Sequence, residues 1–152
     1  MIWRRAAPYP SFVNFDAPDR AACVIERPRS NTPLQALTLL NDQAFIEMAV
    51  SLASLVTNAQ GSGELRPQLS YAMQRCVARV PESDEIDVLQ ELYEAEKSRF
   101  SGDPKAVNAF LDNYLVNEGN RVSALAPAER IHLAALSVVC NVLLNLDETI
   151  NY

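Results

Sequence analysis

The sequence predicts an all-α bundle of about five helices, with a largely irregular N-terminal arm packed on it and the last helix at the centre. Three observations predict this. From Leu34 onward, apolar residues recur at the three- and four-residue intervals of a helix with one buried stripe. The segments so defined are bounded by residues that start and stop helices. Only 4 glycines occur in 152 residues, which speaks against a turn-rich β fold and against a glycine loop that cradles phosphate. A chain of this length can bury roughly 70% of its unfolded surface and needs no disulfide or metal staple. It reads as a single helical domain over 1–152, divided into an arm (1–31) and a bundle (32–152).

In the arm, Pro8, Pro10, Pro18 and Pro28 interrupt any helix and push the preceding residues toward extended geometry. Trp3, Tyr9, Phe12, Val13 and Phe15 are too many apolar residues for a disordered tail, so the arm should lay them on a surface. Val24-Ile25 reads as a short extended piece. The first helix opens at Thr32, a good N-cap, with Pro33 at the first helical position and Gln35 completing a capping box. Its expected buried stripe is Leu34, Leu37, Leu40, Phe45, Met48, Leu52 and Leu55, and it should run to about Asn58 before Gly61-Ser62-Gly63.

The second helix is expected from Glu64 to Val80, with Leu65, Leu69, Met73, Cys76 and Val77 inward and Pro81 as its stop. Ser83 is the expected cap of the third, with Asp84 and Glu85 where the dipole favours negative charge. Ile86, Leu89, Leu92, Tyr93 and Phe100 form its stripe, and Gly102 suits its end. Asp103-Pro104 opens the fourth, which should end at Gly119-Asn120. Ala126-Pro127 opens the fifth, expected to reach about Leu146. Its Ile131, Leu133, Leu136, Val138, Val139, Val142, Leu143, Leu144 and Leu146 cover nearly every side, and such a helix is surrounded by others.

The net charge of −6 is unevenly spread: residues 1–30 carry +2 and residues 31–152 carry −8. An acidic body repels nucleic acid and anionic membrane, so neither is an expected partner. The apolar stretch Leu133 to Leu146 is shorter than the ~20 residues of a bilayer span and contains Ser137, Asn141 and Asn145, so no membrane insertion is expected. Met1-Ile2-Trp3-Arg4-Arg5 is not followed by the apolar run of a signal peptide.

Cys23, Cys76 and Cys140 form neither a CxxC nor a CxxCH pattern. Cys76 and Cys140 read as small core residues. The single His132 lies among Leu and Ala and reads as a packed or capping histidine, because no second His joins it. Glu91, Glu94, Glu96, Lys97 and Arg99 read as a solvated helix face with local ion pairs. No catalytic set, metal site or cofactor motif is recognisable, so this chain alone reads as non-enzymatic and cofactor-free.

The densest polar stretch is Asn14 to Asp42. Asp16 and Asp19 bracket a proline turn and suit Asx geometry. Arg20, Arg27 and Arg29 are planar forks matched to carboxylates, phosphates or sulfates. Asn31 precedes the capping box, and Asn41-Asp42 interrupt the apolar run. These eight residues either tie the irregular backbone to the bundle, or form a site for a carbohydrate or anionic ligand or part of a hydrolytic unit, or contact another domain. Asp147 and Glu148, at the expected end of the last helix, oppose its dipole and call for a cation, for which an arm arginine is the expected partner.

The blocks "FDAPDR", "RSNTPLQALTLLND", "RCVARVPESDE" and "LLNLDE" occur in this order. Together they resemble the C-terminal region of a planctomycete family of large proteins of unknown function, often associated with cytochrome-c-like modules. The matching positions are Asp16, Asp19, Arg20, Arg29, Asn31, Thr32, Gln35, Asn41 and Asp42, then Asn145, Asp147 and Glu148. The resemblance implies an exported, periplasmic or surface parent with a role in polysaccharide breakdown, and no assigned chemistry for these positions. It further implies that the chain is the terminal piece of a larger domain. The expected partners are therefore other domains of that parent or a cytochrome-like module, with polysaccharide a further candidate.

Overall fold

The computed structural model describes residues 13–17, 25, 30, 32–61, 63–114 and 125–150. Among these residues the chain forms seven helices and no strand. They are α1 (Pro33–Asn41), α2 (Gln43–Gln60), α3 (Leu65–Val77), α4 (Ser83–Gly102), α5 (Pro104–Tyr114), α6 (Pro127–Leu144) and α7 (Asp147–Ile150). The all-α class is as the sequence predicts. Val24 lies outside the described residues, and Ile25 sits in a bend.

The capping box at the start of α1 is complete. Gln35 N–H donates to Thr32 Oγ1 at 3.3 Å, and Thr32 N–H donates to Gln35 Oε1 at 2.9 Å. The single helix expected from residue 32 to about 58 is, however, two helices that turn by 60° at Asp42. Asp42 takes an extended conformation (φ −71°, ψ 133°) and serves both ends. Its N–H donates to Thr38 O at 2.8 Å, closing α1, and its Oδ1 accepts from Ala44 N–H at 2.9 Å, opening α2. An aspartate can close and cap helices in this way because its short carboxylate reaches the orphan N–H groups of the next first turn.

The break changes which face is buried. Leu34, Leu37 and Leu40 are 55%, 58% and 40% exposed, and Met48 and Leu55 are 47% and 39% exposed. The expected buried stripe therefore points largely outward. The buried face is instead Gln35 and Leu39 in α1, then Ala49, Val50, Ala53 and Val56 in α2. The physical reason is α6, which packs most extensively on α2. Its own buried face includes Ala134 and Ala135. Small side chains on both surfaces let two helices approach closely, which a row of leucines would prevent.

The remaining boundaries shift by a few residues, each for a local reason. α3 stops at Val77 because Ala78 enters the left-handed region (φ 55°) and donates its N–H to Gln74 O at 3.0 Å. The N-cap of α4 is Glu82 rather than Ser83, and Glu85 accepts from the Glu82 N–H at 2.8 Å. Asp103 Oδ1 accepts from Lys105 and Ala106 N–H at 3.1 and 3.2 Å and so caps α5. The expected end of the fourth helix at Gly119-Asn120 lies outside the described residues.

α6 touches all six other helices. Its Leu136, Val139, Cys140 and Leu143 are fully buried, beside Phe100 of α4, Leu111 of α5 and Leu69 of α3 in the same core. Cys140 is a buried free thiol and Cys76 packs at the edge of that core, both as small apolar residues. By length and composition the 18 residues of α6 are enough to cross a bilayer. Eight of them are buried among the other helices, so here it is the central helix of the bundle. It ends at Leu144, and α7 follows directly.

Candidate functional site

The candidate polar residues at the front of the chain are only partly described. Asp19, Arg20, Arg27, Arg29 and Asn31 lie outside the described residues. The three that are described make local structural hydrogen bonds. Asp16 has a positive φ of 51° and accepts a hydrogen bond from Ser30 Oγ. Asn41 Nδ2 donates back to Leu37 O at 2.8 Å. Asp42 caps α2. Gln35, expected only to cap, is also the anchor of the arm: buried at 2% exposure, its Nε2 donates to Asn14 O at 2.7 Å and Ser30 Oγ at 2.8 Å. Asn14 Nδ2 donates to Thr38 Oγ1 at 3.0 Å, and the Phe15 and Phe45 rings lie 6.0 Å apart. The described part of the arm, in which Val13 and Asn14 are helical and Phe15 and Asp16 form a turn, is thus tied to α1 and α2 by side-chain hydrogen bonds and a ring contact.

A second cluster joins distant blocks of the sequence. Arg79, between α3 and α4, donates to both oxygens of Glu85 at 2.8 and 2.6 Å. It donates equally to Glu148 of α7 at 2.8 and 2.9 Å. One guanidinium thus holds two carboxylates by paired bonds, a geometry that its planar fork permits and an ammonium does not. The hydrogen bonds from Arg79 and the Glu82 N–H hold Glu85 down at about 2, and Arg79 lowers Glu148 as well. A cation at Glu148 is therefore Arg79, while the arm arginines expected there lie outside the described residues. Asp147 and Glu148 also begin a helix rather than end one, so the local dipole favours them. Arg79 went unnoticed in the sequence because its partners lie 6 and 69 residues away.

The third cluster lines a cavity of about 650 Å³ bounded by α2, α3, α4 and α6. At its wall Tyr93 Oη lies 2.6 Å from His132 Nδ1, with the rings edge to face at 5.6 Å. His132 Nε2 is buried without a hydrogen-bond partner among the described residues. Burial, then the nearby Lys97 ammonium, pushes the His132 pKa down, so the ring is neutral near pH 7. Burial, then the Glu94 carboxylate, pushes Tyr93 up to about 12, so its hydroxyl keeps its proton. The pair is neutral and suits hydrogen bonding. Among the described residues neither partner has a hydrogen bond to a nucleophile or a carboxylate of the kind a hydrolytic set needs.

Lys97 and Glu94, expected to be a solvated face, line the same cavity. Their charges are 4.0 Å apart, and the ammonium stands 5.5 Å from the centre of the Tyr93 ring. The solvated reading holds for both local ion pairs, since Lys97, Glu94 and Arg99 keep exposed side chains and Arg99 pairs with Glu96 at 2.5 Å. His132 is a packed histidine, as its apolar neighbours indicate. Its tie to Tyr93 is a contact across 39 residues that no local spacing announces. Among the described residues no group of three or more metal-ligating side chains converges.

A family model described as PSD1, protein of unknown function (DUF1553), matches residues 1–93. That span, more than half of the chain, covers α1 to α3 and α4 up to Tyr93, and leaves His132 outside. Neither a curated protein nor a solved structure matches the chain.

Proposed function

The chain belongs to the PSD1 family of unknown function, and we propose on that premise that it is a non-catalytic helical module that packs in, or completes, a larger exported multidomain protein. One observation carries the reading: Leu34, Leu37 and Leu40 form an apolar outer face on α1, each at least 40% exposed. Clustered exposed leucines cost solubility and are a common mark of a surface that meets another protein surface. The partners proposed are other domains of a planctomycete-type, cytochrome-associated parent, or the cytochrome-like module itself. The chain contributes packing surface and no cofactor.

The test is association and apolar-dye binding of the isolated chain, compared with a Leu34→Ser/Leu37→Ser double variant. Dye binding and concentration-dependent association that the variant loses are expected. A monodisperse wild-type monomer that binds no dye overturns the reading. The alternative role is a carbohydrate- or anion-binding unit built from Asp16, Asp19, Arg20, Arg27, Arg29, Asn31, Asn41 and Asp42. It predicts that a sulfated or neutral oligosaccharide raises the melting temperature of wild type more than that of Arg29→Ala, since a ligand selective for the folded state stabilises it.

A further inference from the structure

We propose that the cavity between α2, α4 and α6 binds a small zwitterion with an apolar side chain, of the amino-acid type, its carboxylate at Lys97 and its ammonium at Glu94 and Glu129. The size is right for a small molecule, since ligand pockets run roughly 300–1,000 Å³ and are apolar with a few converging polar groups. Leu65, Leu125, Ala128 and Leu133 supply the apolar part of the lining.

The charges decide the class. Among the described lining residues the charged side chains are Lys97, Glu94 and Glu129. His132 adds no positive charge and Tyr93 no negative one. The sum is one negative charge, so a simple anion meets a surplus of acid and a simple cation leaves Lys97 unused. A ligand carrying both signs complements both.

Geometry brings these charges to one end of the bundle. Arg79 ties Glu85 near the start of α4 to Glu148 beyond the end of α6, so α4 and α6 run antiparallel. Lys97, one turn after Tyr93, and Glu129, nearly one turn before His132, therefore lie on the same side of the Tyr93–His132 hydrogen bond. Lys97 is only loosely engaged: 4.0 Å from Glu94 is the outer limit of an ion pair, and its side chain is 47% exposed. Ser54 and Asn58, on the facing end of α2, add further polar groups to the wall. α6 begins at this wall, where Glu129 Oε2 accepts from the Ala126 N–H at 2.8 Å and so holds its carboxylate in place.

A matched series of probes separates the ligand charges while holding the apolar body nearly constant: phenylalanine (zwitterion), 3-phenylpropionate (anion) and phenethylamine (cation). Binding to the full chain is measured by calorimetry and by backbone amide shifts. Phenylalanine is expected to bind most tightly, with shifts at residues of α4 and α6. Lys97→Met should weaken phenylalanine by about tenfold, the loss of one charge-assisted contact, while leaving phenethylamine unchanged. Ala128→Trp, which fills the cavity from an exposed helix position, should abolish binding with the far-ultraviolet helix signal intact. The proposal is overturned if no probe binds, if either single-charge probe binds as tightly as phenylalanine, or if phenylalanine binding survives Ala128→Trp. Failure here leaves the packing role of α1 untouched, because the leucines of its outer face do not line the cavity.

Discussion

α1 and α6 begin alike and end up differently. Each has proline at its first helical position, a glutamine or glutamate three residues past its cap, and a run of apolar side chains. α6 is enclosed by the other helices, and Leu136, Val139 and Leu143 are fully buried. α1 presents Leu34 and Leu37 to solvent at more than half exposure and buries Gln35 instead. The difference teaches that apolar composition sets a demand for burial, whereas the neighbours available decide whether the demand is met. α6 lies where three long helices converge. α1 is short, turned 60° from α2, and has its inner side taken up by the hydrogen bonds that dock the arm.

Substitutions on the two helices test this contrast. Leu136→Ala should cost about 2–5 kcal/mol in urea unfolding, since it removes a fully buried side chain and leaves a cavity in a ring of packed helices. A loss below about 1 kcal/mol would mean that α6 is not the organising element. Gln35→Ala should cost about 1–3 kcal/mol, because the Asn14 carbonyl and the Ser30 hydroxyl oxygen both lose the Nε2 donor in a half-buried setting. Proteolysis within residues 1–31 should accelerate in that variant. Thr32→Ala should cost about 1 kcal/mol by removing the side-chain half of the capping box. Leu37→Ala should change stability by no more than about 0.5 kcal/mol, and its effect should appear in association instead.

Acid should separate α6 from the Arg79 cluster. The folded-state pKa of His132 lies below its unfolded value, so the unfolded chain binds the extra proton first. Stability is level above about pH 6.5 and falls as the pH drops below it. Melting temperature measured between pH 7.5 and 5.5 should decline for wild type and stay flatter for His132→Gln. The carboxylates of Glu85 and Glu148 are also held low, so their contribution is present above about pH 4.3 and is lost below it, toward about 2 for Glu85. A wild-type curve that is flat down to pH 5 would show that His132 is solvated in solution.

Some of this was legible residue by residue. Thr32, Pro33 and Gln35 announce a helix start because capping is local chemistry, settled within four residues. Phe100, Leu69 and Leu111 sit at helix-spaced positions, and they are buried. The turn at Asp42 was visible only as an interruption, since an aspartate inside a helix and one between two helices look alike until the backbone leaves helical angles. At the cavity, His132 gave the one signal available, a polar ring on an apolar face. Its partner Tyr93 looked like an ordinary core aromatic, and Lys97 like a surface charge.

Helix identity, most helix ends and the central rank of the last segment were determined by the sequence itself, through hydrogen bonds and periodicities that span a turn or two. The outward face of α1, the Arg79 clamp and the Tyr93–His132 wall were decided only in the tertiary structure. Each of those depends on which side of a helix a distant segment covers. Between helices the covered side is the one that packs, and here α2 buries Ala49, Val50, Ala53 and Val56 while the leucines of α1 stay outward.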